Sequence, residues 1–193
     1  MELVLATKNI NKIRRLKKIF SKNFPNIFLT DVSDLNIKSP QENGLKQEDN
    51  LKIKLNYYHK ILEKDIISED DVLELKVKGK YILILKVNDF FKNGNNLYED
   101  WINYLRKNNI ITGRLIKNYG IVINNQIKIS KVVVPLIVKT KGICKKNIES
   151  NLLNNFVGPM EKGLTFNEMS KNERDKYMNN LCEPLIRQLI KYK

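Results

Sequence analysis

The sequence predicts an α/β fold, and three observations carry that prediction. A short β-prone stretch at 2–6 leads into an amphipathic helical stripe and then into a second β-prone stretch at 27–30. That is the start of a βαβ unit, whose strands pair in parallel. Two long β-prone runs, 114–124 and 126–141, meet at a turn near Asn124-Asn125. Apolar stripes at helical spacing occupy 47–63 and 97–107, the pattern of helices laid on a sheet.

The elements follow in order. In the first helix, residues 9–21, Ile10, Ile13, Leu16 and Phe20 form the stripe, and Pro25 stops it. A polar loop spans 33–44. Leu51, Leu55, Tyr58 and Leu62 define the second helix. Ile66-Ile67-Ser68 reads as a buried strand ending at three acids, Glu69-Asp70-Asp71. Residues 72–87 read as a hairpin turning at Lys78-Gly79-Lys80. Leu97, Trp101 and Leu105 recur every four residues, which puts Trp101 in the core. Ser170 with Glu173 is a capping box that opens a C-terminal helix, and Pro184 bends or splits that helix.

Composition narrows the class. The 193 residues point to one domain covering 1–193, and 42% hydrophobic content supplies a core. No apolar run reaches membrane-span length, and Met1 to Ala6 is wrongly charged for a signal peptide. Cys144 and Cys182 read as two reduced thiols of a cytoplasmic protein. The net charge of +14 suits a polyanionic partner. Only six of the 35 basic residues are Arg, and no basic block is interleaved with aromatics, so nucleic acid is not the favoured partner.

Four groups of residues could carry chemistry. Thr7, Asn9 and Lys12 sit where a parallel strand gives way to a helix, and free N–H groups there favour an anion. Asn9 is equally a plain helix cap. Glu42 lies in the polar loop. Asn50 and Lys54 share one helix face. Glu69, Asp70 and Asp71 repel one another and need a cation or solvent.

In this order the pieces resemble the inosine/xanthosine triphosphate pyrophosphatase family. Thr7-x-Asn9-x-x-Lys12 matches its opening Ser/Thr-x-Asn-x-x-Lys. Glu42-Asn43-Gly44 followed by Asp49-Asn50 and Lys54-Leu55 matches Glu-Thr-Gly followed by Glu-Asn-Ala-x-x-Lys-Ala. Ser68-Glu69-Asp70-Asp71 matches the Ala-Asp-Asp-Ser strand end. The resemblance covers residues 3–75.

It implies a two-lobed α/β fold around a long central mixed sheet, with a cleft between lobes. One lobe would hold the βαβ start and the C-terminal helix, the other the long strands 114–141. It implies hydrolysis of a nucleoside triphosphate to monophosphate and pyrophosphate, and a homodimer. Thr7, Asn9, Lys12 and Lys54 would hold the triphosphate. Glu42, Glu69 and Asp70 would hold Mg²⁺, with their carboxylates gathered around it, and Asp70 would act on the attacking water.

The back half departs from the family. The base-binding Gly-Phe-Gly-Tyr/Trp-Asp-Pro has no counterpart, since 150–155 reads Ser-Asn-Leu-Leu-Asn-Asn. Thr165 to Met169 resembles Thr-x-Ala-Glu-Met, but Met178-Asn179-Asn180 replaces Ser-His-Arg. The resemblance therefore implies altered or relaxed base selectivity. The alternative is an inactive relative serving as a nucleotide-binding or structural basic protein. The single histidine, His59, is assigned no role.

Overall fold

The computed structural model describes residues 1–33, 35–44, 46–84, 97–141 and 152–192. The fold is α/β. The strands are β1 (Glu2–Leu5), β2 (Phe28–Asp31), β3 (Ile66–Val77), β4 (Lys80–Ile84), β5 (Thr112–Ile123), β6 (Gln126–Val138) and β7 (Val157–Pro159). They form one mixed sheet ordered β2-β1-β3-β5-β6-β7, with β4 paired to β3. Around it stand α1 (Ile10–Asn23), α2 (Gln47–Leu62), α3 (Leu97–Lys107), α4 (Lys171–Asn180) and α5 (Glu183–Ile190). By contacts the chain divides into two compact units. The first is Met1–Asp70, Lys117–Val132 and Met178–Lys193, and the second is Asp71–Ile116 and Val133–Tyr177. Lys117–Val132 thus joins the unit of the βαβ start, whereas the sequence had suggested one lobe for all of 114–141. The reason is that Tyr119, Ile121 and Ile123 pack into the same core as α1.

In the first unit β1 pairs in parallel with both β2 and β3. Successive side chains of a strand point to opposite faces, and two cores result. Leu3, Leu5, Ile67, Tyr119 and Ile121 face α1 and α5. Val4, Ala6, Ile66 and Val122 face α2 through Leu51, Leu55 and Tyr58. Ile10, expected in the stripe of α1, is half exposed, and Ile19 and Phe24 complete that stripe instead. The backbone of β5 lies against α2 at Gly120, where an added Cβ would meet Leu55 Cδ1 at 2.5 Å. Glycine is what lets α2 come this close.

In the second unit β4 returns antiparallel along β3, from Leu73 opposite Ile84 to Val77 opposite Lys80. Lys78 and Gly79 both have positive φ, as a two-residue hairpin turn requires. Residues 85–87 of the expected hairpin lie outside the described residues. Trp101 is fully buried, as its spacing predicts. Ser170 and Glu173 form the expected box, with Glu173 N–H donating to Ser170 Oγ at 3.2 Å and Ser170 N–H to Glu173 at 3.0 Å. The C-terminal helix is split: α4 ends at Asn180, and α5 begins with Pro184 in its first turn, where a missing N–H costs nothing.

One expectation fails in an informative way. The strand expected to stop at the three acids does not stop, because β3 runs through them to Val77. Alternation makes this possible. Glu69 is buried while Asp70 and Asp71 are half-buried, so the acids do not share one surface. Val72, Leu75 and Val77 then continue the buried pattern.

Candidate active site

The candidate site belongs to the first unit. Its floor is the β1–α1 turn. Asn9 caps α1: its Oδ1 accepts from Asn11 N–H at 3.0 Å and Lys12 N–H at 3.3 Å. Thr7 Oγ1 accepts from Asn9 N–H at 3.2 Å, which fixes the turn. The cap occupies the Asn9 oxygen and leaves its Nδ2 donors outside the cap. α1 has no acid in its first turn, so nothing there opposes an anion at its positive end. Lys8 Nζ donates to Ile37 O at 2.9 Å, tying the polar loop to this turn.

The loop is pinned again farther on. Asn50 Oδ1 accepts from Gly44 N–H at 2.6 Å. A Cβ at Gly44 would meet that oxygen at 2.7 Å, so only glycine passes there. Four residues along α2, Lys54 Nζ meets Glu42 Oε1 at 2.9 Å. Asn50 therefore anchors the backbone beside Glu42 while Lys54 grips its carboxylate, both from one face of the helix.

Glu69 and Asp70 are adjacent on β3 and so point to opposite faces. Glu69 is on the α1 face with Ile67, and Asp70 is on the α2 face with Ile66. The Glu69 side chain is fully buried. Arg15 Nη2 donates to its Oε1 in a short charged hydrogen bond. Lys12 Nζ lies 3.9 Å from the same oxygen and 3.5 Å from the Glu69 carbonyl oxygen. Glu69 Oε2 is buried without a hydrogen-bond partner among the described residues.

The structure thus brings the predicted residues together in pairs, Lys12 with Glu69 and Lys54 with Glu42. Among the described residues no three His, Cys, Asp or Glu side chains gather as a metal-holding group. Glu69 and Glu42 each take a basic partner. Arg15 is the residue that sequence reasoning missed. Its signal was present, since it lies three residues after Lys12 and on the same helix face.

Below this cluster, burial pushes the Tyr119 hydroxyl and the Cys182 thiol up from their usual ranges, and the two groups lie 3.4 Å apart. Lys117 is fully buried on the same strand, with Nζ 5.8 Å from the Tyr119 ring centre. Cys182 is a buried free thiol, and Cys144 lies outside the described residues. His59 has a structural place. Its Nδ1 is 2.6 Å from Lys64 O and its Nε2 is 2.7 Å from Asn125 Oδ1.

In the second unit the described residues around the expected base-binding stretch have packing and capping roles. Phe156 is fully buried against Tyr98, with ring centres 5.1 Å apart. Asn155 is fully buried, donates to Leu152 O at 3.0 Å and accepts from Asn167 at 2.7 Å. Thr165 and Glu168 cap each other, and Lys139 meets Glu168 at 2.9 Å. Burial opposes the charge of Glu168, but the bonds from Lys139 and Thr165 win and hold its carboxyl below the usual range. Residues 142–151, including Ser150 and Asn151 of the expected base-binding stretch, lie outside the described residues.

Fold and turn define an α/β protein of one mixed sheet with a capped helix start at its candidate site. Residues 3–81 match the model of the Ham1 family, the stretch in which the motifs lie. The chain is similar along its length to three solved structures. The Ham1 protein of Staphylococcus aureus superposes with a TM-score of 0.74 at 20% identity, covering 100% of both chains. A HAM1 protein from Coxiella burnetii gives 0.79 at 15% identity, covering 99% of both. A nucleoside-triphosphatase / dITP/XTP pyrophosphatase from Mycobacterium abscessus gives 0.73 at 14% identity, covering 98% of this chain and 99% of that one. At these identities the structures establish the fold. No curated protein matches the sequence. Among the described residues no helix is long and apolar enough to cross a membrane.

Proposed function

We propose that this chain is a nucleoside triphosphate pyrophosphatase, Mg²⁺-dependent, with altered or relaxed base selectivity. The observation that carries the reading is the family match over residues 3–81, the stretch that holds all seven candidate residues. In support, two lysines with carboxylate partners come from helices on opposite faces of one strand.

The donors fit Mg²⁺ in chemistry. They are hard carboxylate oxygens, and the buried Glu69 Oε2 is an oxygen awaiting a partner. Mg²⁺ usually takes one or two carboxylates, with phosphate and water oxygens completing an octahedron, so three gathered acids are not required. One or two of Glu42, Glu69 and Asp70, the acids that the resemblance names, would hold it, and it would neutralise charge on the phosphates. Thr7, Asn9, Lys12 and Lys54 would bind the triphosphate, the lysines leaving their carboxylates as the metal and substrate arrive. Asp70 would accept the proton of a water attacking the α phosphorus. A new P–O bond forms, the bond to the bridging oxygen breaks, and pyrophosphate leaves with that electron pair.

By resemblance the enzyme would be a cytoplasmic homodimer, which sedimentation of the purified chain would check. The test of activity is pyrophosphate release from a panel of nucleoside triphosphates with Mg²⁺. Turnover of at least one is expected, with inosine and guanosine forms separated by less than about tenfold, because the family's base-reading residues have no counterpart in the sequence at 150–155 and 178–180. Absence of turnover across the panel would favour the second reading, an inactive nucleotide-binding or structural basic protein. The missing Ser-His-Arg and the +14 charge speak for that reading.

A further inference from the structure

We propose that Lys12 is shared between Glu69 and the incoming triphosphate, and that Arg15 is the positioning residue that releases it. The inference rests on the triphosphate reading above and deepens it.

Glu69 is a fully buried carboxylate, and a buried charge is tolerated only when paired. Two cations of one helix face serve the same oxygen. Arg15 is hydrogen-bonded to Oε1, whereas Lys12 stands 3.9 Å away. The two are unequal in kind as well. A guanidinium holds a carboxylate in a fixed fork, while an ammonium on a flexible stem changes partner readily. Their depth follows the helix, since Lys12 is one turn nearer the capped end where an anion would sit.

The arrangement settles which cation can leave. If Lys12 swings to a phosphate, Glu69 keeps a strong hydrogen bond from Arg15 and stays compensated. Were Arg15 absent, Lys12 would be the only one of the two left to balance Glu69. Moving it to substrate would then strand a buried charge, and the cost would appear as weaker substrate binding. Arg15 touches no substrate in this scheme and acts through Lys12.

The probe is inorganic tripolyphosphate in the presence of EDTA, with affinity read by calorimetry, so neither Mg²⁺ nor turnover enters. Arg15→Gln should bind about tenfold more weakly than the wild type, the scale of one charge-assisted contact. Arg15→Lys should stay near wild type. Arg15→Gln/Glu69→Gln should bind as tightly as Glu69→Gln alone, at or above wild-type affinity, because Lys12 then has no rival anion. A simple loss of positive field would also be recovered there, so the deciding arm is a Lys12→Ala background. In it Arg15→Gln should cost nothing further, and an equal tenfold cost would overturn the proposal.

Unchanged binding by Arg15→Gln would overturn it too. If that variant fails to fold, Glu69→Gln decides. It should tighten binding several-fold, and the gain should vanish in Lys12→Ala/Glu69→Gln. No gain overturns the proposal. A wild-type protein that ignores tripolyphosphate would sink the triphosphate reading itself, and this inference with it.

Discussion

Asp70 and His59 show how differently single side chains can matter here. Asp70→Asn removes a charge and hardly any volume. It should lower kcat by about 10²–10⁴-fold, the range for a lost general base, with an unchanged melting profile by circular dichroism. Lys12→Ala should instead raise KM with a smaller loss in kcat. His59 is a matter of stability. Both of its partners are oxygens, so only the doubly protonated ring donates to both as drawn. The Asn125 contact, the Lys64 carbonyl and the charge of Asp65 raise its pKa above the ordinary 6.5, against the opposing effect of burial. A raised folded-state pKa means stability that is fully present below about 6.5 and is lost as pH rises through the folded value. Melting temperatures of the wild type and His59→Gln should therefore differ most in mild acid and converge at alkaline pH. A constant gap across the range would show that the contacts do not depend on charge.

At the scale of elements, Gly120→Ala should destabilise by about 1–3 kcal/mol, the usual penalty of overpacking, measured by urea unfolding. Its Cβ would collide with Leu55 Cδ1 unless that side chain rotates or α2 lifts from β5. Helices were the most legible elements in the sequence, since a 3.6-residue stripe is a long-range signal. α2 and α3 fall within a residue of their expected ends. β3 was misread because three acids look like a stop, and nothing local announces that α1 will supply Arg15 and Lys12 to one of them. The candidate site was legible as a set of motifs, because turn, loop and strand residues keep family spacing. Its pairing was not legible, since Lys54–Glu42 and Arg15–Glu69 depend on which face each element turns inward. Parity within a strand can be counted only once the strand's true length is known.

For the molecule as a whole, the charge of +14 makes ionic strength the natural variable. Affinity for a nucleoside triphosphate should fall as salt rises, because screening weakens attraction between the basic chain and a polyanion. Binding to duplex or single-stranded nucleic acid should be weak near about 0.15 M salt and vanish above it. A tight complex that survives physiological salt would promote the basic-protein reading over the enzyme. The uninterrupted course of β3 has one more consequence, and it concerns ancestry. The strand is paired to β1 at Ile66 and Ile67 and to β4 from Leu73 onward. The acids lie on the span between these two stitched segments. Side chains on that span can be exchanged one at a time, but its length cannot. Insertion or deletion of one residue would turn Glu69 toward α2 and Asp70 toward α1, or tear a ladder. Lineages of this protein should therefore vary in spelling between residues 67 and 73 while never changing the number of letters.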